Sequence, residues 1–530
     1  MNNPQSQLLL LRYSIISKYM FLTRCVPPDV SEAALTTLSS HVSQALSNIM
    51  GIDSISARVY NTAIMPLSVG GLGLTDLKAI RHTAYFASAS HALQTWSHHF
   101  GANHPIIVNW TAKASRCSVL LDRCLQIQHD NITAFNTTKI AVQPKFAPNN
   151  PNMEKADPEC LLPAVTVPVL PQSLAAICKS TVNANSKLQR DLSHIHAALQ
   201  FRKLWRSTTQ HDGDLRTQIL ANTAKSTNLW LRVTPDNPKF RFTTPEFRLN
   251  ILQHFALDEQ INNLLGLNIT TAHTSKSNTQ TCIPCTCTDN NFSVDDDDSN
   301  PAHPRRPARP ATYTHLVNCR NKMAFQYRHN RIVDVCADAT KSVSLQPELE
   351  LQVSTSPAIT GNNNQKLERK RFDVTVGDIA PGLKTLQLDI SVASHRRTED
   401  QFRVGCSRYP LYAADRKVID KLSKYQLNFF PDTEVVVPLV CETSGAVHPN
   451  FQKFFASLAL RVDNQPPAAA TWTTPTFITY WMAVVSCTLR RESAKSLFRL
   501  ARAALQAAGC PGADDRLPSL VPQSRGPSHL

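Results

Sequence analysis

Two pairs of metal-ligating residues lie between positions 282 and 319. Cys282 and Cys285 are separated by two residues, and His315 and Cys319 by three. Two thiolates on a short knuckle and a His/Cys pair at helical spacing can complete a closed tetrahedral zinc site. The 29 residues between Cys285 and His315 are low in complexity and can loop out at modest entropic cost. The spacing predicts structural zinc. Cys287 is a competing ligand, and surface cysteines beside an unrelated buried histidine are the alternative.

A pair of carboxylates lies on two predicted strands further along the chain. Asp373 belongs to FDVTV and Asp389 to LQLDISV, two runs that alternate with period two around a Pro381-Gly382 turn. Aspartate is disfavoured within strands, and two neighbouring carboxylates are suitable ligands for Mg²⁺ together with phosphate oxygens and water. The hypothesis is a magnesium site. The alternative is a pair of solvated residues on an exposed sheet face.

A lysine row follows on a helix predicted over 410–428. The buried stripe predicted for this helix comprises Leu411, Ala414, Val418, Leu422 and Tyr425. Lys417, Lys421 and Lys424 each precede a member of that stripe and line one edge of it. A lysine there can extend along the sheet to the carboxylates, orient a water and stabilise the charge of a reacting phosphate. A solvated basic flank is the alternative.

The chain that positions these residues has 530 residues, and we predict that it is an α+β multidomain protein. A helical N-terminal half leads to a zinc knuckle and a small mixed-sheet core. The predicted boundaries are 1–135 (helical), 136–184 (Pro/Asn-rich linker), 185–280 (helical connecting region), 281–322 (knuckle with insertion), 323–465 (mixed-sheet core), 466–510 (C-terminal helices) and 511–530 (disordered tail).

The first helix has a clear apolar period. Leu8, Leu11, Ile15, Tyr19 and Leu22 recur at spacings of three and four, which predicts one buried face of an amphipathic helix.

Composition narrows the function classes. The chain carries 55 Lys and Arg against 40 Asp and Glu, a net charge of +15 that suits a polyanionic partner. Only 15 Gly against 34 Pro, with neither GxGxxG nor GxxxxGK[ST], argues against glycine-loop nucleotide folds. We expect no signal peptide and no membrane span, and the 14 cysteines then indicate reduced thiols or metal ligands.

The order of these features resembles the C-terminal part of a non-LTR retrotransposon polyprotein with a restriction-like endonuclease. The resemblance covers about 1–95 and 185–460 and is carried by LLLRYSIISKYMFLTRCVPP, GGLGL, LWLRVTPDNPKFRFTTPEFRLNIL, CIPC, THLVNC, RHNRIVD, RFDVTV, LQLDISV, KLSKY and PLVCETSG. No single motif is specific, whereas their sequential order is. Residues 1–135 would then be a thumb-like region of a reverse transcriptase, and 323–465 a PD-(D/E)xK-like nuclease core.

The resemblance implies a Mg²⁺-dependent endonuclease that nicks target DNA for target-primed reverse transcription. It assigns Asp373 and Asp389 as catalytic magnesium ligands and Lys421 as the catalytic lysine. It also assigns Arg328 and His329, which we expect to open a helix, to DNA-phosphate contact. The implied partners are target DNA, element RNA and an N-terminal polymerase part, and the implied location is the nucleus.

Three features depart from the family pattern. Phe372 stands where the family usually has proline, the knuckle contains its long insertion, and no [YF]xDD occurs, so this chain lacks a polymerase site and resembles a fragment. A non-catalytic nucleic-acid-binding remnant of a truncated reverse transcriptase is therefore the alternative function. A purely structural zinc-stapled protein is a third, and it predicts no salt-dependent phosphate binding.

Overall fold

Helices dominate the described chain. The computed structural model describes residues 3–112, 115–137, 166–179, 187–208, 213–224, 226–267, 285, 311–319, 322–349, 372–380, 383–396, 400–426 and 434–508. The chain divides into two compact units, Met1–Asp212 and Gly213–Leu530. The protein is therefore mixed α+β, with its described strands all in the second unit. Most of the predicted linker, nearly all of the knuckle insertion and the predicted tail lie outside the described residues.

Unit 1 is helical where it is described. Its helices are α1 (Pro4–Leu10), α2 (Ile16–Cys25), α3 (Pro28–Met50), α4 (Ala57–Ala63), α5 (Leu77–Phe100), α6 (Pro105–Thr111), α7 (Arg116–Thr137), α8 (Leu174–Lys179) and α9 (Leu188–Ser207). One apolar core joins α5, α7, α8 and α9, and Phe86, Leu121 and Ile195 are fully buried in it. The boundary between the units falls inside 185–280, so α9 packs in unit 1.

A π-helical turn, Leu11–Ile15, separates α1 from α2. The buried stripe predicted for this segment is correct through Leu11 and wrong beyond it, because three of its members are exposed: Ile15, Tyr19 and Leu22. Ile16 and Thr23 are buried instead. A π turn inserts an extra residue into the helix, so the inward-facing positions move on by one.

Unit 2 combines helices with a four-stranded sheet. Its helices are α10 (Gly213–Thr223), α11 (Thr244–His254), α12 (Asp258–Leu264), α13 (Tyr313–Asn318), α14 (Lys322–Lys341), α15 (Asp400–Cys406), α16 (Tyr412–Gln426), α17 (Pro449–Ala459) and α18 (Phe477–Ala507). Its strands are β1 (Pro347–Leu349), β2 (Val374–Ala380), β3 (Leu383–Ala393) and β4 (Glu434–Glu442). The predicted strands FDVTV and LQLDISV correspond to β2 and β3, and the apolar run VVVPLV (435–440), which predicts a third strand, lies within β4. The three residues of β1 carry no sequence pattern that we recognised.

The sheet has the order β1-β2-β3-β4. The first three strands are antiparallel, whereas β4 runs parallel to β3. Parallel neighbours require a crossover connection, and α15 and α16 provide it. Leu388 of β3 is opposite Val374 of β2 and Val437 of β4. This register determines which polar residues of β2 and β3 meet.

The long helix α18 forms the centre of unit 2. It packs against α14, α17 and α11 and is buried around most of its circumference. Trp230 and Phe247, which lie within the motif LWLRVTPDNPKFRFTTPEFRLNIL, are fully buried with ring centroids 5.6 Å apart. The edge-to-face contact between the two rings is part of the apolar core of unit 2.

Candidate active site and candidate metal centre

The sheet register brings Asp373 and Asp389 together. Asp373 immediately precedes β2, and its amide donates to the Leu388 carbonyl at 3.0 Å. One carboxylate oxygen of Asp373, Oδ2, accepts from the Ile390 amide at 2.6 Å. The Asp373 and Asp389 side chains are 20% and 16% exposed. They are thus neighbours in a largely covered site, which excludes the alternative of a solvated sheet face.

Lys421 is the lysine of the row that reaches this pair. Its Nζ donates to Asp389 Oδ1, and its side chain is only 13% exposed. The buried stripe predicted for α16 holds at Ala414 and Val418 but is wrong at Leu422, which is 39% exposed. The face that packs on the sheet is rotated towards Lys421, so this lysine lies within the covered face and not at its edge.

His329 completes the cluster from a different helix. Its Nε2 lies 3.2 Å from Asp373 Oδ1, and its Nδ1 lies 3.2 Å from Asn330 Oδ1. Burial lowers the pKa of His329, but the hydrogen bond and negative charge of Asp373 outweigh it, so the pKa is raised. The family resemblance assigns His329 to DNA contact, and its place beside the carboxylates was not predicted from the sequence. The cluster therefore pairs each carboxylate with a basic side chain.

The helix carrying His329 begins earlier than predicted. Arg328 and His329 do not open it, because α14 starts at Lys322 and places them in its second turn. Arg328 is partly buried, and burial lowers its pKa to about 10. It is therefore not a freely exposed surface charge.

Asp389 is the more perturbed carboxylate of the pair. Burial raises its pKa above the ordinary value against the opposing effect of Lys421, and the charge of Asp373 raises it further. Two carboxylates that repel each other in a covered site favour the binding of a cation. In the structure the two carboxylates are paired with His329 and Lys421.

A buried glutamate at the end of β4 positions α16. Glu442 is 1% exposed, and its Oε1 accepts from the Ala414 amide in the first turn of α16 at 3.1 Å. Its Oε2 accepts from Ser444 Oγ at 3.2 Å. A carboxylate at a helix N-terminus is favourable, and Lys421 lies two turns further along the same helix. The sequence signal for this anchor was a glutamate closing the apolar run VVVPLVCE.

Glu442 should make stability depend on pH. Burial raises its pKa from 4.5 to about 7, so the folded chain holds a proton there that the unfolded chain has lost. Stability should therefore fall as pH rises from about 4.5 to about 7, by roughly 3 kcal/mol. Glu442→Gln keeps an oxygen for the Ala414 amide and removes the ionisation.

Urea unfolding of wild type and Glu442→Gln at pH 5 and pH 8 checks this expectation. The variant should gain stability relative to wild type at pH 8 by most of that amount, and the gain should shrink at pH 5. A difference that is the same at both pH values would contradict it.

The candidate metal centre comprises Cys285, His315 and Cys319. Their ligand atoms all lie within 4.8 Å of one another, and both cysteines are buried. Cys285 Sγ and Cys319 Sγ are 3.8 Å apart, too far for a disulfide. Two sulfurs about 2.3 Å from a tetrahedral zinc would be about 3.8 Å apart. The group therefore fits a metal site. Cys282 and Cys287, the predicted fourth ligand and its competitor, lie outside the described residues.

Helix α13 carries His315, Cys319 directly follows its end, and hydrogen bonds hold both ends of the helix to other segments of unit 2. The Tyr313 amide donates to Asn262 Oδ1 at 2.8 Å. Asn318 accepts from Ser394 Oγ at 2.7 Å and donates to the Arg396 carbonyl. Ser394 directly follows β3, so a metal at this centre would stabilise the segment leaving the strand that carries Asp389.

Comparison with known proteins adds no assignment to this geometry. No family model matches the chain, and the search of curated proteins finds no significant relative. Among the described helices, none is long and apolar enough to cross a membrane.

Proposed function

We propose that the chain is a Mg²⁺-dependent DNA endonuclease with a small PD-(D/E)xK-like core. The observation that carries the proposal is the meeting of Asp373, Asp389 and Lys421 in one covered cluster from three separate elements. The sequence resemblance assigned these three residues without reference to their positions in space. A reaction centre explains why these three charged side chains converge in one covered cluster, whereas unrelated surface charges would have no reason to meet.

The residues present fit divalent-metal hydrolysis of a phosphodiester. Asp373 and Asp389 would hold Mg²⁺, which when bound would activate a water and polarise the phosphate. Lys421 would exchange its contact with Asp389 for the developing charge on the phosphate or for the attacking water. His329 holds Asp373 Oδ1 and so orients that carboxylate as a positioning residue. The expected product is a single-strand nick.

The direct test is nicking of a supercoiled plasmid. Zinc-loaded protein should convert it to the open circle with Mg²⁺ and not with EDTA. If folded, zinc-loaded protein nicks with neither Mg²⁺ nor Mn²⁺, the endonuclease proposal fails.

A non-catalytic nucleic-acid-binding remnant is the second candidate. One observation favours it: His329 and Lys421 already pair with the two carboxylates, so the cluster is satisfied without metal. Such a network can be purely structural. This candidate predicts salt-dependent DNA binding without cleavage, whereas a purely structural zinc protein predicts neither.

Zinc at the metal centre is proposed as structural. Cys285, His315 and Cys319 provide three ligands of the types that zinc prefers, and Cys282 is the proposed fourth. A closed four-ligand site leaves no position for substrate. We therefore assign it to stabilising the knuckle and not to chemistry.

The wider context is also a proposal. The resemblance favours a retrotransposon polyprotein whose polymerase part, element RNA and target DNA would be the partners, acting in the nucleus. The net charge of +15 supports a polyanionic partner.

Arg328 is expected to contact DNA phosphate, and this is testable by salt dependence. Arg328→Ala should weaken binding of unrelated DNA sequences equally and lower the salt slope by about one ion. Arg331, one turn further along α14, is exposed and paired with Asp334. Arg331→Ala is the matched control, and fluorescence anisotropy at several salt concentrations is the measurement. A slope that falls for Arg331→Ala alone would place DNA on the outer face of the helix.

A further inference from the structure

The central helix of unit 2 leaves one narrow line of its surface uncovered. All of residues 480–501 are described, and among them only Arg491, Lys495 and Arg499 are not buried. Their spacing of four residues puts them on one side of α18; we call them the basic stripe. They extend over about 12 Å of helix, enough for about three phosphates of one nucleic-acid strand. Along this length, the surface that α18 leaves uncovered is therefore entirely basic.

Acidic side chains balance only part of the charge of the stripe. Lys495 Nζ lies 2.9 Å from Glu492 Oε1, so this lysine is paired. Arg491 Nη1 donates to three backbone carbonyls of the segment 238–241 at 3.2–3.5 Å, which hold the guanidinium in place without cancelling its charge. Within the described residues, neither Arg491 nor Arg499 forms an ion pair. Two of the three positive charges are therefore available to a polyanion.

An exposed aromatic ring lies at one end of the stripe. Tyr327 of α14 is 46% exposed, and Arg499 Cζ lies 4.6 Å from the centre of its ring, a cation–π contact. The ring is thus held beside a positive charge while nearly half of the side chain remains accessible. Tyr327 precedes His329 by two residues, about 200° around the helix. The ring and the stripe are therefore separate from the carboxylate pair that His329 contacts.

We propose that Tyr327 and the basic stripe bind single-stranded DNA. Surfaces that bind single strands combine positive charge along the backbone with aromatic rings on which bases stack. The bases of a duplex are stacked on one another, so a duplex can use the charge of this surface but not its ring. The presence of both features beside each other therefore favours an unpaired strand. The choice of DNA over RNA rests on the proposed function, whereas the surface itself does not.

Fluorescence anisotropy of the full, zinc-loaded chain with a labelled short oligothymidylate, without Mg²⁺ so that no strand is cleaved, tests the proposal. Tyr327→Ala should weaken binding about tenfold, because one stacked base is lost. Tyr327→Phe keeps the ring and should bind as wild type does. Arg499→Gln should also weaken binding and should lower the salt slope by about 0.7 ion, the change for one phosphate contact on a single strand.

Two matched controls and an altered strand separate stacking from charge. Tyr13 of unit 1 is 44% exposed and has Arg12 over its ring, so Tyr13→Ala removes a similar side chain without touching the stripe. Lys453 is an exposed lysine of α17, and Lys453→Gln removes one charge there. Both variants should bind as wild type does. With an abasic strand of the same length, the loss caused by Tyr327→Ala should disappear, whereas the loss caused by Arg499→Gln should persist.

Absence of binding by wild type, or equal binding by wild type and Tyr327→Ala, would overturn the proposal. So would a loss for Tyr327→Ala that is the same with the intact strand, the abasic strand and a duplex. If Tyr327→Ala fails to fold by circular dichroism, Tyr327→Leu replaces it and Arg499→Gln is the second measure. Tighter binding of oligouridylate would overturn the choice of DNA. Strand binding that persists in a chain unable to nick plasmid would remove the endonuclease and leave this surface.

Discussion

Asp373→Asn and Asp389→Asn are each expected to reduce plasmid nicking by at least about 10³-fold. Metal-ion catalysis lowers the activation barrier by several kcal/mol. Each of these substitutions removes a charged ligand while keeping the side-chain volume. DNA affinity should remain near wild type or rise slightly, because less negative charge then faces the phosphate. Asp415→Asn is the matched control, since Asp415 pairs with His448 and not with the cluster.

Lys421→Met should lower kcat by about 10²-fold or more with little change in DNA affinity, because its charge matters mainly in the transition state. Lys417 and Lys424 lie on the same helix, about one turn before and after Lys421. Lys417→Met and Lys424→Met should keep most of the activity. If Lys417→Met is inactive and Lys421→Met active, the register of α16 is wrong but the nuclease survives as a proposal.

A different result would remove the nuclease proposal altogether. If Asp373→Asn nicks as fast as wild type under the same Mg²⁺ concentration, the carboxylate pair is not catalytic. The network with His329 and Lys421 would then be structural, and DNA binding without cleavage would become the preferred function.

Cys319→Ser and Cys282→Ser are each expected to release about one zinc per chain and to loosen residues 280–335. Thiolate ligation couples metal binding to folding, with apparent binding free energies of about 10–16 kcal/mol in zinc-finger peptides. Elemental analysis gives the metal content, and hydrogen exchange reports the loosening. Cys336→Ala is the control, because Cys336 is fully buried in α14 and is not part of the metal group. Equal zinc in wild type and both serine variants would refute the assignment.

The interval within the knuckle needs its own test. Deleting residues 289–310 should leave zinc bound, because we assign that stretch to an insertion without ligands. Loss of zinc on deletion would place a ligand inside it. Cys287→Ser, tested beside Cys282→Ser, shows which of the two cysteines is the fourth ligand.

The elements that carry the site could be derived from the sequence. Period-two alternation in FDVTV and LQLDISV predicted β2 and β3, and the apolar run VVVPLV predicted β4. Spacing alone paired Cys285 with His315 and Cys319, whose ligand atoms do meet. Such patterns are local, so they can be recognised without knowledge of the fold. The π turn at Leu11–Ile15 could not be predicted in this way, because the apolar periodicity gives no sign of an inserted residue.

The contacts that give the site its character depended on tertiary structure. Asp373 meets Asp389 only because Val374 is opposite Leu388, and the sequence leaves that register open. His329 reaches Asp373 although it lies more than 40 residues earlier in the chain, and Glu442 anchors α16 from the far end of β4. Long-range pairs of this kind are decided by how whole elements pack, which no window of sequence contains. The strand alternation and the ligand spacings could therefore be recognised in the sequence. The residues that contact each carboxylate, and so influence its charge, were determined by the packing of the elements.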